Sequence, residues 1–81
     1  MPRSRRSPRQ ARLQELLTSG RVAAGMTQRD LAQKLKRPQS FVSKYESGER
    51  RLSVIELIEV GEAIGVDPRQ IVADLSDMSE G

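Results

Sequence analysis

Apolar residues return along this chain at intervals of three and four, broken by short polar gaps, and nowhere alternate in twos. That is the period of helices with one buried face. From Arg9, the positions Leu13, Leu16, Leu17, Gly20 and Ala24 share one face of a first helix, and Gly25 supplies a left-handed stop. Gly20 lies inside that helix at a cost of about 1 kcal/mol against alanine. Either it lets a neighbouring helix approach closely, or the helix is weak there. Thr27 offers an N-cap with acidic Asp30 in the following turn, and Leu31, Ala32 and Leu35 form the apolar face of a second helix over 28–36. Pro38 ends it, because the residue before a proline is pushed out of the α region. The same proline opens a third helix over 38–46, where its missing N–H costs nothing.

That third helix lies in the stretch RPQSFVSKYESGERR and carries both aromatic residues of the chain, Phe41 and Tyr45. Counted at about 100° per residue, Gln39, Ser40, Ser43 and Lys44 fall in one arc of about 140°, with Phe41, Val42 and Tyr45 opposite. The aromatics are therefore core, and the amide, hydroxyls and amine face outward together. Gly48 closes the helix, and 49–52 is a loop with Arg50 and Arg51 exposed. Ser53 and Glu56 fit a capping box. The fourth helix they open places Val54, Leu57, Val60, Gly61 and Ile64 on one face and stops at Gly65. Ile55 and Ile58 fall off that stripe, which leaves two placements open: beneath the last helix, or at a contact between subunits. Asp67–Pro68 caps a fifth helix with Ile71, Val72 and Leu75. The pattern predicts an all-α fold of five helices, with a basic arm over 1–8, one helical domain over 9–75 and a polar tail over 76–81.

Composition narrows the function. A chain of 81 residues makes one small domain whose core is marginal alone, so dimerisation is a useful source of stability. The absence of cysteine and histidine removes disulfides, thiolate chemistry and most zinc sites, and fits a reducing cytoplasm. No apolar run approaches the roughly 20 residues of a membrane span, and no apolar segment follows the basic N-terminus as in a secretory signal. Glu56, Glu59 and Glu62 recur at helical spacing and read as a solvated stripe. With no nucleophile, base or paired carboxylates on a common apolar site, enzymatic chemistry, a cofactor and a metal are not expected.

Charge changes the picture more. Residues 1–51 hold 13 Lys+Arg against 4 Asp+Glu, a net +9, while residues 52–81 hold Arg69 alone against 7 acids, a net −6. Such a chain presents a basic end to a polyanion and an acidic end away from it. The arm MPRSRRSP suits a phosphate backbone or a minor groove, or else a solubilising tail.

A tight corner of about three residues between the second and third helices suits a helix-turn-helix. The polar face of the third helix, the clustered basic charge and the spacing of Ala32, Leu35, Val42 and Tyr45 support that geometry. Here the segment TQRDLAQKLKRPQSFVSKYESGER resembles the helix-turn-helix of Cro/lambda-repressor-like (XRE) DNA-binding proteins. The likeness runs from about Leu13 to Leu75, through the T-Q opening, the Q-S-x-V-S-x-x-E-x-G run and the closing I-G-V. It implies a sequence-specific transcriptional regulator, more often a repressor, bound to double-stranded DNA as a homodimer. Base edges would meet Gln39, Ser40, Ser43 and Lys44, with Gln39 suited to adenine and Lys44 to guanine. Phosphates would meet Gln28, Arg29, Lys36, Arg37, Arg50 and Arg51. Arg21 and Glu46 would form a structural ion pair tying the first helix to the third. Ile55, Ile58, Pro68 and Ile71, in the acidic half, are the expected dimer contacts. Two departures stand out: Lys36 occupies a corner where many relatives have glycine, and Gly20 stands where they place a larger apolar residue. A prophage-type repressor, a restriction-modification controller and an autoregulating antitoxin all remain compatible. The competing reading is a protein-interaction module that keeps the fold but binds a partner protein; it calls for exposed large apolar residues, at which only Ile55 and Ile58 hint.

Overall fold

The computed structural model describes residues 7–78; residues 1–6, most of the expected basic arm, and 79–81, the end of the polar tail, lie outside them. Five helices follow in order: α1 (Pro8–Ala23), α2 (Gln28–Leu35), α3 (Gln39–Ser47), α4 (Val54–Ile64) and α5 (Pro68–Ser76). No strand occurs among the described residues.

Local chemistry sets the helix ends. Ser7 accepts the Gln10 N–H at 3.1 Å, so α1 starts at Pro8, a residue before the apolar pattern begins. Thr27 and Asp30 cap α2 reciprocally, each side chain accepting the other's backbone N–H at 3.0 Å. Ser53 and Glu56 do the same for α4 at 3.1 and 2.9 Å. Asp67 caps α5. Pro38 is the N-cap of α3 rather than its first helical residue, and it has no side-chain acceptor to offer. Gly48, at φ 91°, ends α3 in the left-handed region. Two helix C-termini are closed from elsewhere in the fold. Lys34 of α2 donates to the Ala63 carbonyl near the end of α4 at 3.0 Å, and Arg9 of α1 donates to the Leu75 and Met78 carbonyls at the end of α5 at 2.9 and 3.0 Å. Each brings a cation to the negative end of a helix dipole.

The helices pack around Leu17, Leu31, Val42, Tyr45, Val60 and Ile71, all but sealed from solvent. Burying each such side chain contributes roughly 1.5–3 kcal/mol. α2 and α3 pack closely against each other, and α5 folds back on α1 and α4. Gly20 permits a close approach: a Cβ there would lie 2.9 Å from both Ile64 Cδ1 and Val66 Cγ2. Those branched side chains occupy the space that a larger residue at position 20 would need. The apolar stripes overreach at two helix ends. Ala24, the C-cap of α1, is exposed. Val54, the first residue of α4, is 72% exposed because α4 meets the core only from Leu57 onward.

Candidate nucleic-acid interface

α3 presents a polar face, as its spacing requires. Gln39, Ser40 and Lys44 are exposed, and Ser43 is half-buried. The Ser43 hydroxyl donates to the Ser40 carbonyl at 3.3 Å, within its own helix, which leaves its oxygen lone pairs to face outward. Phe41, Val42 and Tyr45 on the opposite side are buried and fix the helix to the core. Gln39 opens onto a groove of about 510 Å³ whose other walls are Arg21, Thr27, Gln28 and Arg29. The starts of α2 and α3 therefore face one shared, solvent-open concavity lined by two amides and two guanidinium side chains. At the corner between the helices, Lys36 takes φ 60°, ψ 45°, the left-handed conformation, with its side chain exposed. It is the one non-glycine residue with positive φ among the described residues.

A carboxylate within α3 anchors it to α1 and α2. Glu46 accepts from Arg21 Nε at 2.7 Å and Nη2 at 3.1 Å, a bidentate pair with side chains only 12% and 7% exposed. Arg21 also donates to the Met26 carbonyl at 2.7 Å. Gln28 Nε2 donates to Glu46 Oε1 at 2.9 Å, and Gln14 Nε2 donates to the Glu46 carbonyl at 3.0 Å. The hydrogen bonds that Arg21 donates to Glu46 raise its pKa further above the usual value. Burial pushes the neighbouring Tyr45 phenol up as well, so both keep their protons. With one amide N–H engaged on Glu46, Gln28 keeps its second amide N–H, its side-chain carbonyl and its backbone N–H for a ligand. Gln14, buried at 6% exposure, is the member of this web that the apolar pattern passes over. Its one legible signal is an amide between Leu13 and the Leu16–Leu17 pair on the inward side of α1.

A second carboxylate, Glu56 of α4, was expected on a solvated stripe and is instead a hub. Its side chain is 14% exposed. Arg50 Nη1 and Nη2 donate to its two oxygens at 2.9 and 2.8 Å, and Arg50 Nη1 also donates to the Arg51 carbonyl. Arg37 Nη1 lies 3.5 Å from Glu56 Oε2, and its Nη2 lies 3.9 Å from Glu59. Both guanidinium carbons sit over the Phe41 ring, 4.5 and 4.8 Å from its centroid. The Arg50 hydrogen bonds and the Ser53 N–H hold the Glu56 carboxyl at about 2, well below the usual 4.5, so it is charged at any physiological pH. Of the expected phosphate ligands, then, Arg50 is already engaged within the fold. Arg37 is held by longer ionic contacts, and Arg29, Lys36 and Arg51 are exposed.

The acidic half carries an apolar patch. Val54, Ile55, Ile58 and Val72 are 72, 64, 38 and 50% exposed. A groove of about 270 Å³ between α4 and α5 is lined by Val54, Leu57, Ile58, Pro68, Arg69 and Val72. Ile71 does not join it. At 2% exposure it belongs to the core, because α5 turns that residue inward and sets Val72 on the surface in its place.

Two short helices at a tight corner, the second with a polar outer face beside a basic groove, define a helix-turn-helix domain. The comparisons agree. A model of the helix-turn-helix family matches residues 17–71. The fold superposes, with a TM-score of 0.82, on an XRE-family like protein from Pseudomonas syringae pv. tomato str. DC3000; the two share 49% identity over 88% of this chain and 87% of that one. No curated protein gives a significant match. The chain belongs to the XRE-type helix-turn-helix family, and so to a class of DNA-binding transcriptional regulators.

Proposed function

We propose that this protein is a sequence-specific repressor that binds a pseudo-palindromic operator as a homodimer. The observation that carries this reading is the exposed amide, hydroxyl and amine face of α3, standing next to the open groove shared with the start of α2. Gln39 at the start of α3 suits the N6/N7 edge of adenine, and Lys44 suits guanine O6/N7, with Ser40 and Ser43 between them. Arg29, Lys36, Arg37 and Arg51 supply phosphate contacts, joined by the Gln28 backbone N–H at the N-terminus of α2. Arg50 is assigned to holding the loop. One short recognition helix reads few bases. A two-fold dimer with half-sites about 34 Å apart doubles the contacts and matches operator symmetry. The patch of Ile55, Ile58, Pro68 and Val72 is the proposed dimer surface. No described helix is long and apolar enough to cross a membrane, which suits work on DNA in the cytoplasm.

The test is selection of bound duplexes from a random pool at about 150 mM salt, a physiological ionic strength. Wild type and Gln39→Ala run in parallel. The expected result is an enriched inverted repeat in which the mutant loses an adenine preference. Recovery of no motif by wild type would sink the reading and favour a protein partner bound at the apolar patch.

A further inference from the structure

Glu56 is in α4, outside the recognition helix, yet its ionic partners bracket that helix. Arg37 immediately precedes Pro38, the N-cap of α3, and Arg50 follows Gly48, its C-cap. Both reach the same carboxylate oxygen, Oε2, at 3.5 and 2.8 Å. Both also lie on the ring of Phe41 in the first turn of α3. One acid thus holds the chain on either side of the helix, and the ring beneath the two guanidinium groups belongs to the helix itself. Glu56 is in turn fixed by the Ser53 N–H at the start of α4. A carboxylate near bound DNA repels it, so by simple electrostatics Glu56 opposes binding. What Glu56 does for the fold, gathering these two arginines beside α3, acts against that repulsion.

We propose, building on the DNA-reading assignment above, that Glu56 is a positioning residue for base readout: through Arg37 and Arg50 it sets the angle at which α3 meets DNA. The consequence is a loss of discrimination when it is changed, not simply of affinity. Glu56→Gln keeps the length and the acceptor for the Ser53 N–H, and glutamine also serves in a capping box. It removes the charge that gathers the two arginines. Losing folded protein lowers binding to every sequence by one factor, and removing a negative charge raises binding to every sequence by one factor. Neither alters the ratio between sequences; tilting α3 does.

The experiment measures Kd for the duplex selected by wild type and for a scrambled duplex of the same length. Glu56→Gln is expected to bind the scrambled duplex at least as well as wild type and to lose specificity ratio by roughly tenfold, equivalent to about 1.4 kcal/mol. Arg50→Lys, which keeps the charge but not the two-pronged grip, is expected to lose ratio similarly. Glu59→Gln, whose acid reaches Arg37 only at 3.9 Å, is expected to keep it. A Glu56→Gln ratio within about twofold of wild type overturns the inference while leaving the DNA-reading assignment intact, as does an equal loss in Glu59→Gln. A wild type with no preference between the duplexes would instead overturn that assignment, and this inference with it.

Discussion

Lys36 shows what a single residue can reveal about competing demands. Its φ of 60° costs an L-residue roughly 1–2 kcal/mol. Glycine would relieve that strain but would give back part of it through a more flexible unfolded chain, on the order of 0.4–1 kcal/mol. The net expectation for Lys36→Gly is a stabilisation of up to about 1.5 kcal/mol, seen as a Tm higher by several degrees. If Lys36 also meets a phosphate, the same substitution weakens DNA binding and makes the slope of log K against log salt shallower by about 0.9 per subunit. Thermal melting and a salt titration on one variant would then move in opposite directions. A gain in stability with an unchanged salt slope would mean that Lys36 is a corner residue and nothing more. The strain was legible before the structure, because a corner that favours glycine was occupied by lysine.

Between elements, the governing feature is a pair of carboxylates, and they were unequally legible. The caps at Thr27, Ser53 and Asp67 and the core positions of α2 and α3 follow from local chemistry and period, so they could be read residue by residue. Glu46 could be paired with Arg21 through the family likeness. Glu56 could not, because its sequence signal was already explained by the capping box and by a helical run of glutamates. What distinguishes it is a tertiary fact, the arrival of Arg37 and Arg50 over Phe41, and no pattern within α4 encodes that. Gln14 was missed for the same reason: an amide in an apolar face shows its purpose only when the Glu46 carbonyl comes within 3.0 Å. The Glu46 web gives a quantitative test. Removing one partner of a buried pair leaves an uncompensated charge, at a cost of about 3–5 kcal/mol, whereas replacing both by apolar residues is often close to neutral. At roughly 0.05–0.15 kcal/mol per residue, a chain of 81 residues has about 4–12 kcal/mol of stability, so the single loss takes a large share of it. Arg21→Met is therefore expected to unfold at a much lower denaturant concentration, and Arg21→Met with Glu46→Leu to recover most of the denaturant midpoint. A double mutant as weak as the single one would show that the hydrogen bonds from Gln28 and to Met26 carry the web, not the charge pair.

At the scale of the whole molecule, charge and apolar surface are separated. The net +9 of residues 1–51 and the net −6 of residues 52–81 place the polar face of α3 in the basic part and the apolar patch in the acidic part. A dimer formed through Ile55, Ile58, Pro68 and Val72 brings two acidic halves together and leaves both basic faces clear of the contact, free to meet one duplex. Salt then acts in opposite senses on the two events. It screens the repulsion between acidic halves and so favours dimerisation, while it weakens DNA binding because binding releases counterions. With about four cationic phosphate contacts per subunit, the dimer's slope of log K against log salt is about −7, and a lone subunit's about −3.6. Ile58→Asp places a charge in the middle of the patch without touching the core, since Ile58 is already 38% exposed. The expected outcome is a folded monomer by sedimentation, with unchanged helicity and a halved salt slope. Because each half-site contact survives, its preference for a single half-site should match that of wild type. A wild type that sediments as a monomer and already binds with the shallower slope would remove the dimer from the proposal. The apolar patch would then be the place to look for a different protein partner.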